Sequence, residues 1–303
     1  MESIIYAAPL GAGLAPVEWP GLAMRWIGWD DTVWDLTSGI SGIAMMPGVR
    51  GMHMPPTRHY KDTNPTTHGA RWRGYNIEQR EVFWPLQIFN DYGSQEWLNH
   101  DRRFWRTMSP HKTGTWVVIQ PNGTERSLKL RYKDDGQYTF DLDPASTGWA
   151  NYGFLMDAEQ PFWTEPEITR VFRPTGSSEF FSPGGAVVNI TAGSSISGAS
   201  LYNPGDEKAY PIWEIVGPTT SATVSIDGHV ISIPFPVPSG QTLVIDTHPE
   251  KLTAVMGGVD KIANLASADF AALPVGDIST LSLNVVGSGS IMVRFTPLFY
   301  RAW

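Results

Sequence analysis

Ala222-Thr223-Val224-Ser225-Ile226-Asp227-Gly228-His229-Val230-Ile231-Ser232-Ile233-Pro234-Phe235 is the stretch that sets the architecture. Val224 and Ile226 alternate with polar residues, Asp227-Gly228 is a two-residue turn signal, and His229, Ile231 and Ile233 resume the alternation. Such a turn fixes the register, and it puts all five side chains on one face of a hairpin. Further along, residues 243–245, 281–285 and 291–295 are short apolar runs between turn residues. Strands of that length and spacing predict a β-sandwich for the second half of the chain. One helical turn is expected within residues 262–270.

The first half is also strand-rich. Ser127-Leu128-Lys129-Leu130-Arg131-Tyr132 and Gln137-Tyr138-Thr139-Phe140-Asp141-Leu142 alternate at period two, with Asp135-Gly136 as a hairpin turn between them. Trp116-Val117-Val118-Ile119 runs into Pro121-Asn122-Gly123, so residues 115–142 are expected as a three-stranded meander. Residues 94–108 break the pattern. Trp97, Asp101, Phe104, Trp105 and Met108 recur at helical spacing, which predicts one amphipathic helix with Ser94 as its cap, Glu96 favourable to its dipole and Pro110 as its stop.

Composition divides the chain. Of its 13 tryptophans, eleven lie at or before Trp163, and 16 of the 22 Lys and Arg lie at or before Arg170. The later part is rich in Gly, Ser, Ala, Val and Ile. The shift places a joint at Pro161-Phe162-Trp163-Thr164-Glu165-Pro166, stiffened by two prolines, and predicts domains of residues 1–163 and 164–303.

Whole classes of chemistry fall away. The chain contains no cysteine, which removes disulfides, thiolate metal sites and cysteine nucleophiles. Charged residues are 17%, with 22 basic against 30 acidic, a poor match to a nucleic-acid surface. No run approaches a membrane span, and Met1-Glu2-Ser3-Ile4-Ile5-Tyr6 does not read as a signal peptide. Gly11-Ala12-Gly13 lacks a completing glycine, and Gly193-Ser194-Ser195-Ile196-Ser197 is an incomplete nucleophile elbow. His53, His59 and His68 with Asp62 match no metal-ligand spacing and are expected as loop residues. The carboxylate pairs Asp134/Asp135, Asp141/Asp143 and Glu165/Glu167 are candidates for glycosidase-type chemistry, and turns and strand ends explain each of them. The Asn122-Gly123-Thr124 sequon is a turn, and Asn189-Ile190-Thr191 carries no further signal. The chain is therefore expected not to be an enzyme and to need no cofactor or metal. Carbohydrate binding without catalysis is the alternative reading, since exposed aromatics can stack on sugar rings.

The second half resembles a known family. Asn203-Pro204-Gly205-Asp206, Tyr210-Pro211-Ile212-Trp213-Glu214-Ile215 and Gly217, then Ser239-Gly240-Gln241-Thr242-Leu243-Val244-Ile245-Asp246-Thr247, are similar to blocks of the C-terminal domain of siphophage distal tail proteins. Met256-Gly257-Gly258, Asp269-Phe270, Leu273-Pro274-Val275-Gly276 and the closing Ile291–Tyr300 segment, with its Arg294 and Pro297, continue the likeness. The first half agrees in layout through Gly48-Val49-Arg50-Gly51-Met52-His53-Met54-Pro55-Pro56, Gly69, Arg80 and Pro85 with Ile88, and Glu159-Gln160-Pro161-Phe162-Trp163. The chain departs from the family pattern in its first forty residues.

The resemblance implies a mainly β protein: an N-terminal β-sandwich-like domain with one helix, and a C-terminal galectin-like β-sandwich. It implies a structural virion protein at the distal end of a long non-contractile tail, assembled in the host cytoplasm. The N-terminal domains would form a hexameric ring joining the tail tube protein to the tail-tip hub protein around the tape-measure protein, with no sequence-specific nucleic-acid binding and no membrane contact. An acidic chain suits a lumen along which DNA slides without sticking. A ring needs a heterologous interface with aromatic and arginine anchors. Trp72, flanked by Arg71 and Arg73, is the expected anchor.

Overall fold

The computed structural model describes residues 20–66, 68–135, 142–175, 187–191 and 196–303. The first half holds β1 (Ala23–Ile27), β2 (Val33–Asp35), β3 (Ile43–Met45), β4 (Thr57–Thr63), β5 (Ala70–Ile77), β6 (Arg80–Phe89), α1 (Ser94–Trp105), β7 (Thr113–Ile119), β8 (Glu125–Asp134), α2 (Pro144–Thr147), β9 (Trp149–Ala158) and β10 (Trp163–Thr164). One sheet runs in the order β2-β1-β7-β8-β9-β6-β3, while β4 and β5 pair only with each other. The Met45 amide donates to the Leu36 carbonyl (2.7 Å), which ties β3 to the residue just past β2. The sheet therefore curls over itself, and the two ends of one layer enclose the core as a sandwich would.

That core is aromatic. Trp26, Trp84, Trp116 and Trp163, from β1, β6, β7 and β10, are all buried and stand in a row with ring centroids 5.3, 5.1 and 5.0 Å apart. The first two contacts are edge-to-face, the arrangement the ring quadrupole favours. Space for Trp26 exists because position 114 is glycine: a Cβ there would lie 2.2 Å from the indole. The strict alternation of β6, with Arg80, Val82, Trp84, Leu86 and Ile88 all buried, supplies the central strand.

α1 closes one side, packing Phe104 edge-on to Trp34 and Phe154 (5.5 and 5.6 Å). Two details differ from expectation. Gly93 is the N-cap and Ser94 the first helical residue, with no side-chain cap; Gly93 has φ 111, a backbone that glycine accommodates. The helix also ends at Trp105, before Pro110, because the amides of Thr107 and Met108 turn back to the Phe104 and Trp105 carbonyls. Asp101, on the inward stripe, accepts a hydrogen bond from the Tyr152 hydroxyl (2.9 Å). In the meander, β7 pairs β8 as expected, and β9 is the next neighbour of β8. The Asp135-Gly136 turn and the strand expected over residues 137–142 lie largely outside the described residues.

The second half is a sandwich. One sheet orders Val187–Thr191, Ile168–Thr175, Ser290–Phe295, Ile212–Val216, Thr242–Asp246, Thr253–Met256 and Val259–Asp260; the other orders Ile196–Tyr202, Ile278–Gly287, Thr219–Ile226, His229–Ile233 and Ser267–Ala268. Their inner faces share one aliphatic cluster running from Phe172 to Phe295, with Trp213 as its single tryptophan. The hairpin forms in the expected register, Val224 opposite Ile231 and Ile226 opposite His229, with Asp227 (φ 50) and Gly228 (φ 91) both left-handed. Four of its five aligned side chains are buried. The exception is His229, exposed beside the turn with Nδ1 3.0 Å from Asp269 Oδ2. A 3-10 turn at Ile262–Asn264 supplies the expected helical turn.

The two cores meet at the joint. β10 pairs with Leu298–Phe299 and touches β8 at Ser127, so the end of the chain returns to the first sheet. Phe299 and Ala302 are buried in the aromatic cluster, and the Ala302 amide donates to the Met52 carbonyl (2.9 Å). Arg80 pins this return. Its guanidinium is buried and donates to the carbonyls of Pro161 (2.8 Å), Gly51 (2.7 Å), Tyr300 (2.7 Å) and His53. Burial without a carboxylate draws its pKa down to about 10.

Candidate assembly surface

β4 and β5 make a two-stranded ribbon attached to the body just before β6. Thr57-Arg58-His59-Tyr60-Lys61-Asp62-Thr63 and Ala70-Arg71-Trp72-Arg73-Gly74-Tyr75-Asn76-Ile77 offer no apolar face, so the ribbon has nothing to bury against the core. Every residue of β4 is exposed, and in β5 only Gly74 and Ile77 are partly covered. A lone hairpin is marginal in water, and local contacts hold this one. Trp72 stacks on Tyr75 (6.3 Å, 22°), its Nε1 donates to His59 Nδ1 (3.2 Å), and Arg73 pairs with Asp62.

The three residues singled out from the sequence are all here, and all exposed. Trp72 is 56% accessible, which rules out a core role. A bulge at Tyr60/Lys61 sets it opposite Lys61, while Arg71 lies opposite Asp62. One side of the ribbon thus carries the stacked rings of Trp72 and Tyr75. The other carries Arg71 and Arg73, which line a hollow at the ribbon's end with Asp62 and His68. Sequence reading missed Tyr60 and Tyr75, both about half exposed; Tyr60 lies opposite Gly74, and the bulge beside it brings Tyr75 to the side of Trp72.

At the ribbon's base an open cleft of about 800 Å³ lies between the halves, lined among others by Tyr75, Phe162, Lys208, Tyr210, His248 and Glu250. Its polar groups answer one another. The Tyr300 hydroxyl donates to Glu207 (3.1 Å), and burial, followed by Tyr75 and Glu207, pushes its pKa above the usual tyrosine range. The Lys208 ammonium is raised by its hydrogen bond to Tyr210.

Four of the carboxylates considered for catalysis have structural partners. Glu165 pairs with Arg126 (3.0 Å) and Glu167 with Arg294 (2.9 Å); Asp143 caps α2, and Asp134 accepts from the next amide. Asp141 lies outside the described residues. Of the histidines expected in loops, His53 sits edge-on to Trp303, whereas His59 lies in strand β4 and accepts from Trp72. Among the described residues no group of three His, Asp or Glu converges to hold a metal, and no helix is long and apolar enough to cross a membrane.

Comparison with known proteins agrees with the fold. No protein-family profile matches the chain. A minor tail protein, Gp27 of Mycobacterium phage D29, is 23% identical over 231 residues, covering 71% of this chain and 65% of that protein, so the chain spans just under two thirds of its relative's length. Among solved structures, the SPP1 Dit protein (gp 19.1), described as a paradigm of the hub adsorption apparatus in phages of Gram-positive hosts, superposes with a TM-score of 0.63 at 16% identity, over 92% of this chain and all of that one. A chain of the activated phage p2 baseplate matches with a TM-score of 0.50 at 12% identity, over 91% and 98%. The likeness to siphophage distal tail proteins read from the sequence is borne out, and the mainly β fold with it.

Proposed function

We propose that the chain is a structural component of a long non-contractile phage tail, forming a hexameric ring at its distal end. In this reading residues 1–163, completed by the returning chain end, make the ring, and the sandwich within 164–303 projects from it. The ring joins tail tube protein to tail-tip hub protein around the tape-measure protein, in a virion assembled in the host cytoplasm, and performs no catalysis. The observation that carries the proposal is fold-wide likeness: the superposition on SPP1 Dit extends over 92% of the chain and so takes in both halves. The sequence likeness to a mycobacteriophage minor tail protein supports the same placement. An aromatic, basic ribbon that leaves Tyr60, Trp72 and Tyr75 about half exposed suits subunit contact.

Negative-stain images of the purified chain test this. Uniform rings with a central hole are expected; a monomeric particle at every concentration, including on added tail tube protein, contradicts it.

A further inference from the structure

The cleft at the joint has a chemistry that neither core uses. Its volume of about 800 Å³ falls in the range of small-molecule sites. Each side contributes a ring: Phe162 from the joint, held against Tyr300 (6.0 Å, 37°), and Tyr210 from the sandwich, held edge-on to His248 (5.0 Å, 67°). Both rings are half-buried, so neighbours fix them while part of each stays open to a ligand. Polar groups stand beside them. Asn76, Glu207, Lys208 and Glu250 line the same cleft, and of these Asn76, Lys208 and Glu250 are exposed. The charge is one-sided: three glutamates, Glu159 among them, against one lysine, with no arginine in the lining.

We propose that this cleft binds a neutral saccharide. A pyranose ring has an apolar face of C–H bonds and a rim of hydroxyls. The face packs on an aromatic ring, whose negative quadrupole attracts the polarised hydrogens. The rim needs acceptors and donors side by side, which a carboxylate, an amide and an ammonium supply. The sign of the charge then selects within the class. A phosphate or carboxylate ligand enters against the field of the glutamates, whereas a hydroxyl donates to them. The hydrogen bond from Tyr300 to Glu207 (3.1 Å) fixes one acceptor in advance, so less freedom is lost on binding. Because the cleft is open, one copy holds its sugar weakly, with a dissociation constant on the order of 1 mM. Several copies in a ring, engaging one polysaccharide, gain about 10²–10⁴-fold through effective concentration. Only that gain rests on the ring reading.

Saturation-transfer NMR on the full chain reads contacts of that strength. The probes are lactose, maltose and diacetylchitobiose, with a heparin disaccharide as the anionic counterpart. At least one neutral probe is expected to show transfer, strongest on its ring C–H protons, and the heparin disaccharide none. Tyr210→Ala is expected to weaken binding about tenfold. Glu250→Gln, at an exposed position, is expected to weaken it about threefold or more, and decides the matter where the first change costs the fold. Tyr202→Ala, at an exposed ring of the sandwich outside the cleft lining, is expected to change nothing. No transfer to any neutral probe overturns the site. So does binding that survives both cleft variants or that falls with Tyr202→Ala, and equal binding of the heparin disaccharide overturns its neutrality. Light scattering on the same samples separates the two readings: saccharide bound by a monomer overturns the ring and leaves the cleft standing, and rings that bind no saccharide do the reverse.

Discussion

Trp84 and Trp72 lie on neighbouring strands of one short stretch of chain and have opposite fates. Trp84 is wholly buried in a row of four indoles, whereas Trp72 is more than half exposed on a ribbon that stands outside the core. Their neighbours decide it. Trp84 alternates with Val82, Leu86 and Ile88, so period two carries it into the core. Trp72 sits between arginines, and the strand opposite brings Lys61 and Asp62. The lesson is that a tryptophan-rich half is not one thing: the same residue type builds a core where its strand has an apolar face and an interface candidate where it has none.

Substitutions sharpen that comparison. Trp84→Ala removes the centre of the row and is expected to cost about 3–5 kcal/mol in chemical denaturation, with loss of near-ultraviolet dichroism. Trp72→Ala in the same experiment should change stability by less than about 0.5 kcal/mol; an equal loss from both would erase the distinction between the regions. Arg80→Ala belongs with the first class. It strands four partly buried carbonyls at the joint and should cost about 3 kcal/mol or more, with protease cleavage appearing near Pro161 and the chain end. A milder loss of about 1–3 kcal/mol is expected for Gly114→Ala, whose new methyl meets Trp26 and the Ile27 carbonyl; an unchanged midpoint would mean that the indole row is loosely packed.

The smallest effect is one of pH. His100 packs edge-on to Trp34 (5.4 Å), and burial, aided by Arg103, lowers its pKa in the folded chain. The unfolded chain therefore binds a proton near pH 6.5 that the folded chain refuses, so this residue's contribution falls as pH drops below that value. Unfolding midpoints at pH 7 and pH 5 should differ less in His100→Gln than in the native chain. Ribbon substitutions should leave that slope untouched.

Much of this was legible beforehand because it is local. The Asp227-Gly228 hairpin, the strand alternation and the helix over Trp97 and Phe104 each announce themselves within a dozen residues. What stayed hidden is non-local. Nothing in Phe299 or Ala302 announces that the chain end returns to the first core, since the pairing with Trp163 bridges the whole second half of the chain. His229 follows the hairpin's alternation, but the strand end leaves it in solvent. At the candidate site, Arg71, Trp72 and Arg73 could be found as an aromatic between two cations. Tyr75 could not, since only the bulge at Tyr60/Lys61 brings it to the side of Trp72.

The central claim is that the exposed aromatics of the first half exist to hold copies together. Native mass spectrometry of the full chain and of Trp72→Ala, at matched concentration, tests it most directly. The account predicts a closed species of six 33.5 kDa chains for the native protein and a folded monomer for the variant. A six-chain species that survives Trp72→Ala unchanged, or a native protein found only as the 33.5 kDa chain, would contradict it.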